Sequence, residues 1–436
     1  MKIYLKMPCS HNTSPWQRLR NSRNMYKVVK KIQKFVVNED CLQFCIVFLV
    51  VIVIFLVVIV MYLLLGGDKC NGQKLKQTLC KDYNDGLITG DLCYSICVEE
   101  SILLTDCYKD SAYDITYRFG DSLIQIQRFT PDSLPSPISL ETFHEKVSEF
   151  LTQNLGHGYS QDLSDRVMQF TDFNSNGEMD YAESNTLWQL LHVREFFFLM
   201  IFHQETTFPQ INGTCGSTFA YEYIPSTPLY QKKKDSNPII QYFFPNYNHW
   251  LLPSWEKRAN IAIGLLELSS TMTESYNSKF FMCNIKPTTF GVSSDFEAKV
   301  VEFDSLITEH QLIQRLEHKQ CFFDSECYYG NGCSMLCNIN SRTCSNIPKR
   351  HTVSVICDIL KDYVLYDCPD DFKFQFESLI LQCQNLTSNN LSIPQNVIPE
   401  KITAILWDQV KNKPADWLNP RKLLKRTIKG VQLKDI

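Results

Sequence analysis

The sequence predicts an α+β fold, stapled by disulfides and attached to a membrane by one N-terminal transmembrane helix. Three observations predict it. Phe44 to Leu65 is a run of twenty-two residues without a charge, Gly or Pro. Fifteen of the eighteen cysteines lie beyond that run. Past it, strand-like segments such as SLIQIQRF (residues 122–129) alternate with a long helical pattern, residues 255–275, whose apolar stripe passes through Ile261, Leu265, Leu266 and Leu268. A length of 436 residues allows two or three domain-sized units. With 44% hydrophobic and 12% aromatic residues there is apolar surface for a real core, which excludes global disorder. Only 16 Gly and 18 Pro exclude a collagen-like or low-complexity chain. Lys+Arg 43 against Asp+Glu 47 is nearly neutral and argues against a nucleic-acid protein.

The near-neutral total hides an asymmetry: residues 1–43 carry a net +7 and the remainder −11. A helix over 44–65 would extend about 33 Å, enough for a hydrocarbon core of about 30 Å. A cleavable signal peptide would have a shorter apolar region ending in small residues. The run is therefore read as a signal anchor, and the basic tail places 1–43 in the cytosol and 66–436 in the lumen or outside, a type II topology. Arg18, Arg20 and Arg23 look like arginine-based endoplasmic-reticulum retention signals; the same charges also suit attraction to anionic lipid. The expected location is the endoplasmic-reticulum membrane, with the Golgi as the alternative. In an oxidising lumen, the cysteines at 70–107 and 321–383 read as disulfides, zinc being the alternative, and an odd number leaves at least one thiol free or shared between chains. Sequons at Asn212, Asn385 and Asn390 lie on the same side.

The sharpest local motif is DFNSNGEMDYAE, residues 172–183, which fits the EF-hand loop at every specified position. Asp172, Asn174 and Asn176 offer oxygens at alternate positions, Gly177 permits the sharp turn, and Glu178 contributes its backbone carbonyl. Asp180 ligates directly or through water, and Glu183 closes the site with both oxygens. Helical patterns flank the loop, SQDLSDRVMQF before and AESNTLWQLLHVREFFFLMIF after. One such loop without a partner reads as a structural Ca²⁺ clip of weak affinity.

Three further segments fall in a telling order: INGTCGSTFAYEYI as two strands, the helical 255–275, then FFMCNIKPTTFGV followed by EAKVVEFDSL. That order resembles a protein kinase, from hinge strands to catalytic loop to metal-binding strand. Together with the anchor, the Cys-rich start and the embedded EF-hand loop, the chain resembles the divergent-protein-kinase-domain family of type II endoplasmic-reticulum membrane proteins, over most of 66–436. The resemblance implies a two-lobed protein-kinase-like fold. Residue by residue it puts Asn284 at the catalytic base, Lys286 at the phosphate-contacting loop lysine, and Thr289 and Glu302 at the two metal-binding positions, with Asp304 as a second carboxylate. It puts Gln127 at the ATP-binding lysine and Glu195 at that lysine's helix partner. Arg118 or Arg128 are the nearby cations that could stand in, and residues 86–90 are the nearest approach to a glycine-rich loop. ATP and Mg²⁺ are the ligands so implied, and four departures in one site count against their use: an amide cannot take a proton at neutral pH, and catalysis here is mostly positioning and charge stabilisation.

The leading expectation is a lumenal pseudokinase that binds or scaffolds a protein or glycan partner, with a structural Ca²⁺ site. The alternatives are an active divergent secretory-pathway kinase acting on protein or glycan, and a Ca²⁺-binding Cys-rich membrane glycoprotein without a kinase fold. The expected organisation is tail 1–43, anchor 44–65, Cys-rich lead 66–110, small lobe 111–224 with the loop 172–183 inserted, and large lobe 225–436 with a Cys-rich insertion at 321–344. Residues 398–436 are expected to be helical.

Overall fold

The computed structural model describes residues 49–56, 72–129, 131, 133–135, 137–170, 179–225, 229–230, 252–330, 332–387 and 397–411. The chain divides into two units, Met1–Lys69 and Cys70–Ile436. In the first, 49–56 is helical, and its side chains, Leu49 to Leu56, are all exposed. Among the described residues no helix is long and apolar enough to cross a membrane. The basic tail and the rest of the expected span lie outside them.

The second unit opens with α1 (Gln73–Asn84) and α2 (Asp91–Cys97). The Cys80–Cys97 disulfide joins them, and Cys93–Cys215 ties α2 to the first sheet. That sheet comprises β1 (Cys107–Asp110), β2 (Asp114–Phe119), β3 (Ser122–Gln127), β4 (Ile211–Cys215) and β5 (Thr218–Glu222). Its strands are antiparallel in the order β1-β2-β3-β5-β4. Period-2 alternation assigns its two faces. Ile115, Tyr117, Ile124 and Ile126 join Leu79, Ile88 and Ile96 in one apolar cluster, so the Cys-rich lead covers the outer face. The intervening residues Asp114, Thr116, Gln125 and Gln127 belong to the inner face, and the first three are buried. The sheet starts at Cys107, inside the segment assigned to the lead. Residues 86–90 form the loop between α1 and α2, where the Thr89 N–H donates to Thr186 Oγ1 at 2.9 Å; they are not the turn of a strand hairpin, because the lead is helical.

Between β3 and β4 lie α3 (Leu140–Leu155), α4 (Gln161–Gln169), α5 (Tyr181–Leu191) and α6 (Arg194–Ile201). The long helix expected after residue 181 is two helices, with Val193 extended between them (φ −88°, ψ 112°). The turn lets α6 leave the line of α5, and Phe196 to Ile201, apolar on every side, are all buried.

The second lobe is built on α7 (Trp255–Glu274), whose Ile261, Leu265, Leu266 and Leu268 are buried. Two short antiparallel pairs follow: β6 (Phe280–Met282) with β9 (Leu306–Thr308), and β7 (Phe290–Val292) with β8 (Ala298–Val300). After α8 (Glu309–Leu316) the Cys-rich insertion forms a small sheet, β10 (Tyr328–Gly330), β11 (Cys333–Asn338) and β12 (Thr343–Pro348). Helices α9 (Thr352–Val364), α10 (Asp370–Gln384) and α11 (Val397–Val410) complete the lobe, α9 and α11 packing on α7. Of the terminal segment, 397–411 is described and the basic stretch beyond it is not.

The disulfide reading of the cysteines holds. Cys321–Cys337 and Cys327–Cys344 staple the insertion, Cys283–Cys333 ties it to the second lobe, and Cys357–Cys383 joins α9 to α10. Cys321, Cys327 and Cys344 bring their sulfurs within 4.8 Å of one another, but each is in a disulfide and has no thiolate left for zinc. Among the described residues the free thiol is Cys368, which is buried, and burial pushes its pKa up to about 11.

Candidate functional site

The site lies where the inner face of the five-stranded sheet meets α6 and the segment 283–304. Tyr108, Lys109, Thr116, Leu123, Tyr221, Glu222, Ile224 and Val301 line a cavity there. One wall is held by a part-buried ion pair: Lys299 Nζ lies 2.9 Å from Glu222 Oε2 and donates to the Phe208 carbonyl at 3.3 Å.

On the second-lobe side, contiguous spacing brings the expected residues together. The Lys286 N–H donates to Thr289 Oγ1 at 3.0 Å, and the Thr289 hydroxyl donates to Glu302 Oε2 at 3.3 Å. The Val301 N–H donates to the Thr289 carbonyl at 2.9 Å, fixing the two segments side by side. Asn284 follows β6 with φ +59°, a left-handed backbone that Asn and Asp tolerate alike. Exchanging one for the other therefore removes a carboxylate without disturbing the loop. Asn284 and Lys286 are exposed. The insertion is locked against this loop. Cys283 is bonded to Cys333; a Cβ on Gly330 would stand 2.9 Å from Asn284 Oδ1, and one on Gly332 would stand 2.2 Å from the Met282 carbonyl oxygen.

On the sheet side, Gln127 ends β3 opposite Asp114, and its Nε2 is buried without a hydrogen-bond partner. Glu195, in the first turn of α6, is half-buried. Burial holds its carboxyl above the ordinary carboxylate range; nearby Asp114 and Asp304 push the same way and Lys109 opposes them. Arg194 anchors the helix beside it, donating to the carbonyls of Asp304, at 3.4 Å, and Leu306. Asp304 is exposed on the turn after Glu302. Neither arginine offered as a substitute cation is available. Arg118 stacks 4.1 Å above the Tyr223 ring. Arg128 pairs with Asp110 and donates to the Ser111 carbonyl at 2.7 Å. A cation that does line the cleft is Lys109, which the sequence reading passed over because its place depends on strand register.

Of the EF-hand loop, residues 172–178 lie outside the described residues, Asp172, Asn174, Asn176 and Glu178 among them. Its last positions are described. Asp180 caps α5, its Oδ1 accepting from the Glu183 N–H at 2.8 Å, while Glu183 Oε2 accepts from the Asp180 N–H at 3.0 Å. Glu183 is 1% exposed, and its Oε1 is buried with no hydrogen-bond partner. An unmatched buried carboxylate oxygen at this position fits a cation ligand. Met179 packs against the main core. Of the sequons, Asn212 on β4 and Asn385 after α10 are exposed, and Asn390 is outside the described residues.

Two family models match the chain and between them span more than half of it: the protein-kinase domain of FAM69 over residues 187–386 and the N-terminal cysteine-rich endoplasmic-reticulum region of FAM69 over residues 37–127. Among solved structures, the Rv3197–erythromycin complex from Mycobacterium tuberculosis is similar at 12% identity, covering 83% of this chain and 93% of that one with a TM-score of 0.24, a likeness too slight to carry an argument. A kinase-like second lobe, a cysteine-rich lead folded onto the small-lobe sheet, and matching models for both parts agree: the chain belongs to the FAM69 family.

Proposed function

We propose that the chain is a type II endoplasmic-reticulum membrane protein whose lumenal kinase fold binds a protein or glycan partner without transferring phosphate, with Ca²⁺ held in the inserted loop as a structural ion. The observation that carries this reading is Asn284: an amide at the base position, beside an insertion bonded to the same loop through Cys283–Cys333. The exposed apolar helix over 49–56 supports the anchor, and the unmatched Glu183 Oε1 supports the Ca²⁺ site. Full-length protein in detergent, given labelled ATP with Mg²⁺ or Mn²⁺, is expected to incorporate no label. In a thermal melt, Ca²⁺ at about 10⁻⁴ to 10⁻³ M stabilises the wild type, and Glu183→Gln removes the response; equal stabilisation of both would sink the ion assignment.

A second reading, an active secretory-pathway kinase acting on protein or glycan, is favoured by one observation, the Thr289–Glu302 contact at 3.3 Å, which assembles the metal-binding pair with Lys286 beside it. Label incorporation that Glu302→Gln abolishes would establish it.

A further inference from the structure

Two surfaces of the second lobe carry large apolar side chains that the fold leaves uncovered. The first is on the Cys-rich insertion. Phe322 and Phe323, adjacent in sequence, are 64% and 70% exposed, and Ile339, on the turn between β11 and β12, is 82% exposed. That turn lies beside the two rings: the Cys321 N–H donates to the Arg342 carbonyl at 2.9 Å, and the Arg342 guanidinium sits 5.4 Å over the Phe322 ring. Arg342 has a left-handed backbone, φ +54°, which a residue with a Cβ keeps only where its surroundings enforce it. Cys321–Cys337 and Cys327–Cys344 staple the segment, so docking would cost little ordering entropy. The carboxylates here are committed. Asp324 meets Lys349 Nζ at 3.6 Å and accepts from the Cys337 N–H at 2.9 Å, and Glu326 accepts from the Phe322 and Phe323 amides. Arg342 and Lys319 are exposed, and among the described residues no hydrogen bond or ion pair engages either side chain. The available charge is positive.

The second surface is the outer face of α10. Phe376, Leu379, Ile380 and Cys383 are buried, on the side that packs on α9 and α11. On the opposite side Phe374 is 87% exposed, and Leu381, two turns on, is also exposed. Helical spacing puts Asp370 and Glu377 on the same stripe, with Asp371 beside it. Among the described residues none of these carboxylates has a hydrogen bond or ion pair, and Lys373 is the one cation at the border. Asp370 and Asp371 suit the helix N-terminus, whereas Glu377, in mid-helix, gains nothing from it. The sequon Asn385 lies one turn past Leu381, which leaves Phe374 at the centre of the face.

Exposed apolar patches of this kind mark interaction surfaces, and aromatic rings with arginine are the side chains that dominate interface cores. Here the two patches complement each other, ring against ring and free cation against free carboxylate. Both are exposed, so they do not cover one another within one molecule. We propose that the insertion patch docks on the α10 face of a second copy of this chain. The contact joins two different surfaces, so it is head-to-tail and either closes into a ring or extends as an array. It includes no residue of the cleft and is independent of whether phosphate is transferred there.

The test is light scattering on the full-length protein in detergent at about 10⁻⁵ M, within reach of a weak interface. Wild type associates beyond the monomer. Phe322→Ser with Phe323→Ser is monomeric, and so is Phe374→Ser with Glu377→Lys; the replaced side chains are all exposed, so both variants melt as wild type does. An equimolar mixture of the two variants forms one-to-one dimers and nothing larger, because each keeps the surface that the other lost. Arg342→Ala weakens association by about 10-fold, and Tyr113→Ser, exposed outside both patches, leaves it unchanged. A monomeric wild type would overturn the proposal and leave the patches to a bilayer or another protein. Loss of association in only one of the two variants would overturn it in favour of a symmetric contact through that surface. A mixture that stays monomeric would overturn it as well.

Discussion

Single residues at the cleft show charge and backbone separating. Asn284 occupies a left-handed position that an aspartate would occupy equally well, so the shape of the loop does not depend on which of the two stands there. Glu195 makes the converse case: its backbone place in α6 is ordinary, and its environment is not. Burial, with Asp114 and Asp304 near it, raises its pKa in the folded protein. A raised folded value means that the folded state holds the proton more tightly than the unfolded chain. The associated stability is therefore complete below the unfolded pKa and lost as pH rises through the folded one. Glu195→Gln should accordingly melt above wild type at pH 8 and alongside it at pH 4, read by a pair of thermal melts. A lower melting temperature at pH 8 would show that the charge is compensated by more than Lys109.

At the scale of elements, α7 and α9 are joined by a buried cation as well as by apolar packing. Arg258, 2% exposed, donates from Nη1 to the carbonyls of Tyr363 and Tyr366, both at 2.7 Å, and from Nε to the Pro253 carbonyl at 3.2 Å. Those acceptors include the last turn of α9, whose free carbonyls and dipole favour a positive charge. Trp255 Nε1 donates to the neighbouring Val364 carbonyl at 2.9 Å, so two side chains of α7 cap one helix end. Arg258→Ala leaves buried carbonyls unmatched and should destabilise by on the order of 3 kcal/mol in denaturant unfolding. A loss within experimental error would mean that water replaces the guanidinium.

Across the whole second unit, disulfides supply connections that packing alone spreads thinly. Cys93–Cys215 closes 122 residues of chain and fastens the lead helices to the outer face of the sheet, under the Ile115–Tyr117–Ile124–Ile126 cluster. Removing it as Cys93→Ser with Cys215→Ser should cost about 5 kcal/mol by the chain-entropy account, seen as a lowered denaturation midpoint under non-reducing conditions. A midpoint shift no larger than that of Cys80→Ser with Cys97→Ser, which close a sequence separation of 17, would contradict the long-loop argument. The sequence by itself determined what depends on neighbours along the chain: the apolar run, the disulfide-rich composition, the α7 stripe, and the Asn284–Lys286–Thr289 and Glu302 spacing, because each lies in a stretch that one loop or one helix turn brings together. Tertiary structure alone decided which cysteines pair, that Arg118 and Arg128 are bound elsewhere, that the helix after residue 181 breaks at Val193, and that Lys109 meets the cleft. Those outcomes depend on cross-strand register and on lobe-to-lobe packing between residues distant in sequence, which no local pattern encodes.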